Sequence, residues 1–434
     1  MAGKIINTDV LVCGGGCAGL AAALSAARSG AKTLLVERAG FAGGIITTVG
    51  LPFFDGSIDK KSGRFVVKGI ALELLTALGV AKPGARGIDD CRPEQITRYW
   101  MSVRIPNIEE MKLLADQLLT REPNVSVLYH SVACGVELKN GRIDTVQIAN
   151  KDGLTQVKPL QVVDCTGDAD IAAWAGCPME AANAFPTMPM TMHFRIGNVK
   201  PQKETNRVAK QLLIEAHERG ELPAFYGPGL LFVFAPDEAY IHATRVTGDA
   251  TSAADFTRAE MQGRRDAMTM FKLWKAKAPG FEESYYIESG PYIGVRDSRR
   301  IDGQYMLTAD DLHSGRRHDD AIATGCWFMD IHSQKTAIDK PFAGSGFQPD
   351  PYDISYRTLL PKGVANLLVA GRCHSVTQEA ASSSRVTATA MALGEAAGCA
   401  AAMAARSRVD SAELPGVKVR EQLAKQNAGP NTDG

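Results

Sequence analysis

The stretch from Thr8 to Glu37 restricts what this chain can fold into more than any other. Val10 to Cys13 is a short apolar run of the kind that forms a strand buried on both faces. Gly14-Gly15-Gly16-Cys17-Ala18-Gly19 follows, with glycines at the three positions of a G-x-G-x-x-G turn. The first glycine permits the tight turn, and the second lets backbone approach a pyrophosphate. The third lets the next helix lie close on the strand. Ala18 to Arg28, rich in Ala and Leu, reads as that helix, with Gly30 ending it. Lys32 to Val36 supplies a second strand, and Glu37, 18 positions after Gly19, stands where a carboxylate accepts hydrogen bonds from ribose hydroxyls. Glycines gather in ordinary turns, so the triplet alone says little. Strand, turn, helix, strand and acid in this order point to a dinucleotide, without deciding between NAD and FAD.

The whole-chain balance narrows the function classes. A chain of 434 residues has room for two or three domains. Lys plus Arg equals Asp plus Glu at 48 each, so there is no global basic field, and neither nucleic acid nor membrane is expected as a partner. No run of ~20 apolar residues is present. The chain enters its first strand within a few residues, which makes the cytoplasm the expected location. The nine cysteines are scattered, with no C-x-x-C pair, and no metal site is expected. Cys13, Cys165 and Cys399 lie in apolar or Ala-rich runs and read as buried thiols.

Beyond Glu37-Arg38, the pair Gly43-Gly44 lets the backbone pass close to something bulky. Helices are expected over Lys68 to Leu78 and Glu109 to Leu119. Strands are expected over Asn124 to Val132 and Ala133 to Ile148, with Asn140-Gly141 as a hairpin turn. Leu160 to Cys165 is a further strand that runs into Thr166-Gly167-Asp168-Ala169-Asp170. Then the texture changes to short strands (Met190 to Ile196, Leu230 to Phe234, Tyr240 to Val246) and one long helix, Ala253 to Lys277. That is an antiparallel sheet with helices on one side, hence a separate lobe. Ala365 to Arg372 returns as a strand, and Val386 to Ala405 as a helix of Ala, Gly and Met, small enough to lie against a sheet or a flat ligand. The expected division is 1–180, carrying an inserted helical segment at about 50–120, then 181–350 as a substrate lobe, 351–425 as the return, and 426–434 as a frayed polar tail.

Five blocks together carry a resemblance. They are Val10–Gly19 with Glu37-Arg38; Gly43-Gly44; Val163 to Asp170; Leu367–Arg372 with Arg385 through Gly398; and Ile293 to Arg300 followed by Asp330-Ile331-His332. In these blocks the chain resembles the glutathione-reductase-like flavoproteins, and specifically the FAD-dependent oxidoreductase family, itself distantly like the flavoprotein subunits of fumarate reductase and heterodisulfide reductase. The resemblance implies an α/β, Rossmann-like FAD-binding domain with an inserted α+β substrate domain. It implies FAD on Gly14, Gly15, Gly16, Cys17, Ala18, Gly19, Glu37, Arg38, Gly43 and Gly44, with the backbone near Val132 facing the adenine. Thr166 and Gly167 would lie by the pyrophosphate, Gly371 and Arg372 by the ribityl chain, and Arg385 with the head of the Val386 helix by the pyrimidine. Arg372 stands where many relatives carry an acid. Gly43 to Thr48 holds no histidine for a covalent link, so FAD is expected to be noncovalent. No second G-x-G-x-x-G unit for a nicotinamide cofactor follows; Gly344-x-Gly346 sits in a Pro-rich loop.

Flavin supplies the electron chemistry, so the chain must position a C–H bond and handle a proton. His332, beside Asp330, and His374, just past the returning strand, are the acid/base candidates, against the alternative that each is a structural histidine. Arg296, with Arg299 and Arg300, is the candidate holder of a carboxylate or carbonyl, against the alternative of local pairing with Asp297 and Asp302. His193 faces either the flavin or the core, and Asp168 and Asp170 read as helix-capping residues that also help place the cofactor. Tyr285, Tyr286 and Tyr292 are candidate pocket walls. The expected activity is hydride transfer between a small organic substrate and flavin N5, with electrons passed to an unidentified acceptor. The alternatives are an FAD monooxygenase using NAD(P)H and O2, and an electron-transfer subunit of a complex. A homo-oligomer is compatible with either.

Overall fold

In the computed structural model, which describes residues 4–98, 100–180, 188–332 and 346–431, the first strand spans Lys4–Cys13 and begins well before its apolar half. Thr33–Val36 and Gly153–Asp164 flank it, both parallel to it. Val125–Leu128 adds a further parallel strand beyond Thr33–Val36. The long strand Gly153–Asp164 is shared by two partners. Its first half pairs antiparallel with Arg142–Asn150, and its second half pairs parallel with Leu367–Val369 from the far end of the chain. Val132–Lys139 completes that side through the Asn140-Gly141 turn, whose two residues both take the positive φ that a tight hairpin requires. Val10, Leu11, Val12, Val162, Val163 and Leu368 are fully buried, as parallel strands covered on both faces should be.

One of those covers is a pair of helices, Cys17–Arg28 and Thr387–Ser407. They touch backbone to backbone: a Cβ at Gly394 would overlap the Ala18 carbonyl, and one at Gly398 the Ala22 carbonyl. Thr387–Ser407 is long and apolar enough to cross a membrane, but it is buried along nearly its whole length in this contact. Its apolarity serves the core. The beginning and end of the chain therefore build one layer together, with the carboxyl ends of the parallel strands opening on one edge, where ligands sit in such sheets.

The second lobe is a four-stranded antiparallel sheet in the order Leu230–Ala235, Glu238–Ile241, Phe194–Gly197, Tyr285–Ser289. Helices Thr205–Glu218 and Ala253–Lys277 cover one face, where Phe194, Ile241, Leu213, Met270 and Trp274 form the core. Strand alternation sends His193 and Tyr240 the other way. The strands are shorter than their apolar runs because hydroxyls replace ladder bonds. Met192 N–H donates to Thr244 Oγ1 at 2.7 Å, and Thr191 Oγ1 donates to the Thr244 carbonyl at 2.9 Å.

One expectation changes. Residues 426–431 are not frayed: Gln426 Nε2 donates to Ser29 Oγ at 3.0 Å, Gly69 N–H donates to the Asn427 carbonyl at 3.0 Å, and Asn431 Nδ2 donates to the Phe65 carbonyl. The polar side chains that suggested fraying are what hold the segment. Of the Pro-rich loop, Pro341 and Gly344 lie outside the described residues, while Tyr352–Ser355 is a strand paired with Ala321–Gly325.

Candidate active site

A cleft of about 240 Å3 opens at the carboxyl edge of the parallel sheet. Gly14, Gly16, Cys17, Ala18, Glu37, Arg38, Gly44, Val132, Thr166, Gly167, Gly371, Arg372 and Arg385 line it, together with Thr387. Gly15, Gly19 and Gly43 stand behind that wall. A Cβ at Gly19 would overlap the Gly14 carbonyl, Gly15 N–H donates to Glu37 Oε2 at 2.6 Å, and Gly43 N–H donates to the Gly15 carbonyl at 2.9 Å. Gly16 differs: a Cβ there would find nothing nearer than Gly44 Cα at 3.8 Å, because the space above it is the cleft. Glu37 Oε1 also accepts from Ala39 N–H at 2.7 Å, so the carboxylate is aimed by two backbone donors. Arg38 lies over the Tyr292 ring at 4.9 Å, bringing the second lobe to the rim.

Arg372 and the acids after Thr166 do other work than expected. Arg372 Nη2 donates to Asp168 Oδ1 at 2.7 Å, and Nη1 to the Ser298 hydroxyl; Arg299 pairs with Asp170. Neither Asp168 nor Asp170 caps the short helix Asp170–Trp174. The fully buried Asp164 takes that place, accepting from Ala172 N–H at 3.1 Å and Thr166 N–H at 3.0 Å. Arg372 thus bridges the turn and the segment 297–300 while still forming part of the cleft wall.

A second cavity of about 170 Å3 adjoins the first, and Ile45, Val295, Arg296, Arg385 and Thr387 line both. Its remaining walls are mostly aromatic (Phe53, Trp100, Tyr226, Tyr240, Trp327, Phe328) or titratable (Asp55, His193, His242, Asp330, His332), with Leu51, Leu231, Gly294 and Val386 between them. His332 Nε2 lies 3.1 Å from Asp330 Oδ2, and its Nδ1 lies 3.5 Å from Arg245 Nη2. Arg385 Nη2 donates to the Asp330 carbonyl at 2.9 Å and to its carboxylate at 3.3 Å. His193 Nδ1 and the Tyr240 hydroxyl are hydrogen-bonded. Burial pushes His332 down to about 3 against the pull of Asp330, and pushes His242 down to about 3 with Arg245 and Arg296 adding to it. Burial raises the Asp330 carboxyl, but His332, Arg385 and Arg296 outweigh it and hold the group below the usual carboxylate range. Asp55 is pushed up to about 6 by burial, although the Ser102 hydroxyl donates to it at 2.6 Å. An ionised Asp330 beside a neutral His332 is the state these guanidiniums enforce.

A family model for FAD dependent oxidoreductases matches residues 9–423. The chain belongs to the FAD-dependent oxidoreductase family. It is an enzyme of that class, and FAD is its cofactor. The tRNA uridine 5-carboxymethylaminomethyl modification enzyme MnmG of Campylobacter fetus subsp. fetus (strain 82-40) is 33% identical over 131 residues, which are 28% of this chain and 21% of that enzyme. The chain thus matches about a fifth of the length of this curated relative. Among solved structures, GidA of Aquifex aeolicus is 14% identical with a TM-score of 0.49, covering 96% of this chain and 68% of that one. A geranylgeranyl bacteriochlorophyll reductase-like protein of Thermoplasma acidophilum is 14% identical with a TM-score of 0.48, covering 98% and 85%. Because the curated relative is named for a tRNA modification, balanced charge is no ground for excluding nucleic acid as a partner of an FAD-dependent oxidoreductase of this kind. It argues only against a global basic field.

The residues present fit FAD. One continuous wall runs from Glu37 past the open face of Gly16 to Arg385 and Thr387. Near its far end the buried Arg385 Nε and Thr389 Oγ1 have no hydrogen-bond partner among the described residues. Of the three catalytic candidates, the fold brings His332 and Arg296 into the second cavity. His374 is elsewhere: it is fully buried, with Nδ1 on the Gly371 carbonyl at 2.8 Å and Nε2 3.4 Å from Ser384 Oγ, and it lines neither cavity. It is the structural histidine of the pair. Tyr292 lines the cleft, whereas Tyr285 is solvent-exposed and Tyr286 stacks on Phe194 in the second core. Sequence reading missed Asp55, Tyr240, His242 and Arg245. Only Tyr240 and His242 left a trace, as polar-tipped rings two apart along a strand, hence on one face.

Proposed function

We propose that the enzyme moves a hydride between FAD in the cleft and a small organic substrate in the second cavity, and passes the electrons to a separate acceptor. The observation that supports this is the common wall: Arg296, Arg385 and Thr387 line both spaces, so a group in one lies against a group in the other. FAD, when bound, supplies the two-electron chemistry. The chain does the rest. Glu37 receives the ribose hydroxyls, and the backbone above Gly16 receives the pyrophosphate. Arg385 and the head of Thr387–Ser407 favour negative charge at that end of the cleft. Arg296 orients the substrate. His332 handles the proton, with Nε2 3.1 Å from the Asp330 carboxylate that orients the ring and Nδ1 3.5 Å from Arg245.

The test is an anaerobic screen of small alcohols, amines and organic acids, read by bleaching of the yellow protein. A hit should be slowed roughly 10²- to 10⁴-fold by His332→Gln with FAD content unchanged. If no organic reductant bleaches the flavin, while NADPH does and product then carries one oxygen from labelled O2, the enzyme is a monooxygenase instead.

A further inference from the structure

Resting on the reading that the second cavity holds the substrate, we infer that this substrate is a planar aromatic carboxylate. Charge is the first reason. Three guanidiniums, Arg245, Arg296 and Arg385, stand in or against the cavity with little exposure to solvent. Arg385 is paired with Asp330. Among the described residues neither Arg245 nor Arg296 forms an ion pair. Their donors go to neutral oxygens: Arg245 Nη1 to the His242 carbonyl at 3.2 Å and the Thr244 carbonyl at 3.0 Å, and Arg296 Nη1 to the Pro189 carbonyl at 3.1 Å. Both also donate to the single hydroxyl of Thr191, which holds the two cations side by side. Burial and the neighbouring Arg245 and Arg385 push Arg296 well below its ordinary value, yet a guanidinium keeps its proton in proteins. Asp330 attracts all three guanidiniums but is one carboxylate against three, so the site keeps a positive charge that a bound carboxylate offsets. Asp55, the other acid in the cavity, is spent on the Ser102 hydroxyl.

Shape is the second reason. At about 170 Å3 the space is smaller than the roughly 300 Å3 at which drug-sized sites begin. The rings of Trp100, Tyr226, His242 and Tyr240 surround it, with His242 tilted 33° on Tyr226 and stacked at 28° on Tyr240. Flat faces of this kind select a flat guest. The buried Trp327 Nε1–H, which has no partner among the described residues, offers a donor for a ring substituent.

Titration calorimetry on the FAD-loaded protein, with the visible flavin spectrum as a second readout, tests this with three probes. Benzoate is expected to bind saturably and to perturb the spectrum. Benzamide, isosteric but neutral, and cyclohexanecarboxylate, charged but not flat, are each expected to bind at least tenfold more weakly. Arg296→Gln and Arg245→Gln should each cost benzoate on the order of 10- to 100-fold and leave benzamide unchanged. Equal binding of benzoate and benzamide by the wild type overturns the carboxylate, whether or not the variants fold. Equal binding of cyclohexanecarboxylate overturns the aromatic ring. A protein that binds benzoate but takes up no FAD refutes the hydride-transfer reading and leaves the anion site standing; a yellow protein that ignores benzoate does the reverse.

Discussion

The cleft and the cavity beside it are made of different material. The cleft is shaped by main chain: Gly14 at φ +97°, Gly16 open to the ligand, Gly19 pressed on the Gly14 carbonyl, and a helix start. The cavity is shaped by side chains gathered from distant segments, among them Asp55, Trp100, His193, Tyr240, Arg296 and His332. A backbone-built site leaves little to vary. A side-chain-built site can change its guest while the fold stays. That contrast accounts for one cofactor serving many substrates.

The sharpest way to break the contrast is Gly394→Leu. Its side chain has to enter the Ala18 backbone, so no cooperative thermal unfolding should remain. Gly16→Val should instead fold normally, since its first carbon meets only Gly44 Cα at 3.8 Å, yet purify without FAD. A yellow Gly16→Val protein would show that the cleft is not where the pyrophosphate lies. In the cavity, Asp330→Asn removes the carboxylate of Arg385 and His332 and should cost about 3 kcal/mol in urea unfolding.

Titration separates two buried groups by sign, His242 of the cavity and Glu395, which packs against Gly69 and Ile70. Unfolded histidine takes up its proton near pH ~6.5. Folded His242 does so only at about 3, so the unfolded state binds more protons between these values. Its contribution is full above pH ~6.5 and fades as the pH falls, and His242→Phe should remove that part of the acid slope. Glu395 behaves oppositely. Burial raises it to about 7, although Ile70 N–H donates to it at 3.1 Å. Its contribution is full below pH ~4.3 and is lost as the pH rises through the folded value, so Glu395→Gln should flatten that decline. Urea midpoints of each variant against wild type across the pH range check both. The smallest effect expected is Arg38→Ala, which loses the cation–π contacts with Tyr292 and Phe256 and about 0.5–1 kcal/mol of lobe-to-lobe attachment, read as a slight fall in melting temperature.

The same contrast decides what was legible beforehand. Gly14 and Gly19 have local causes, a positive φ and a close approach, so their spacing can be read without the fold. The returning helix announced itself by the same route, because close helix contact demands small residues. The long helix Ala253–Lys277 stands at the bounds expected from its sequence. The cavity had no such local signature. His332 and His374 are equivalent on paper, and only tertiary placement gives one an aspartate and a cavity, the other a carbonyl and a core. Arg245 sits within an apolar run, where nothing nearby tells that Thr191, 54 positions earlier, holds it beside Arg296. The Asp164 cap was hidden for a similar reason. A strand-end acid facing inwards looks the same in sequence as one facing water.

The interlock of Gly394 and Gly398 with Ala18 and Ala22 sets a timetable for synthesis. A ribosome makes Cys17–Arg28 hundreds of residues before Thr387–Ser407. The early helix waits for its mate while the substrate lobe is produced, and the coenzyme pocket has no far wall until Thr387–Ser407 has been made. Loading with flavin therefore follows the synthesis of that helix, and a stop anywhere before Thr387–Ser407 leaves a chain with no finished place to put it.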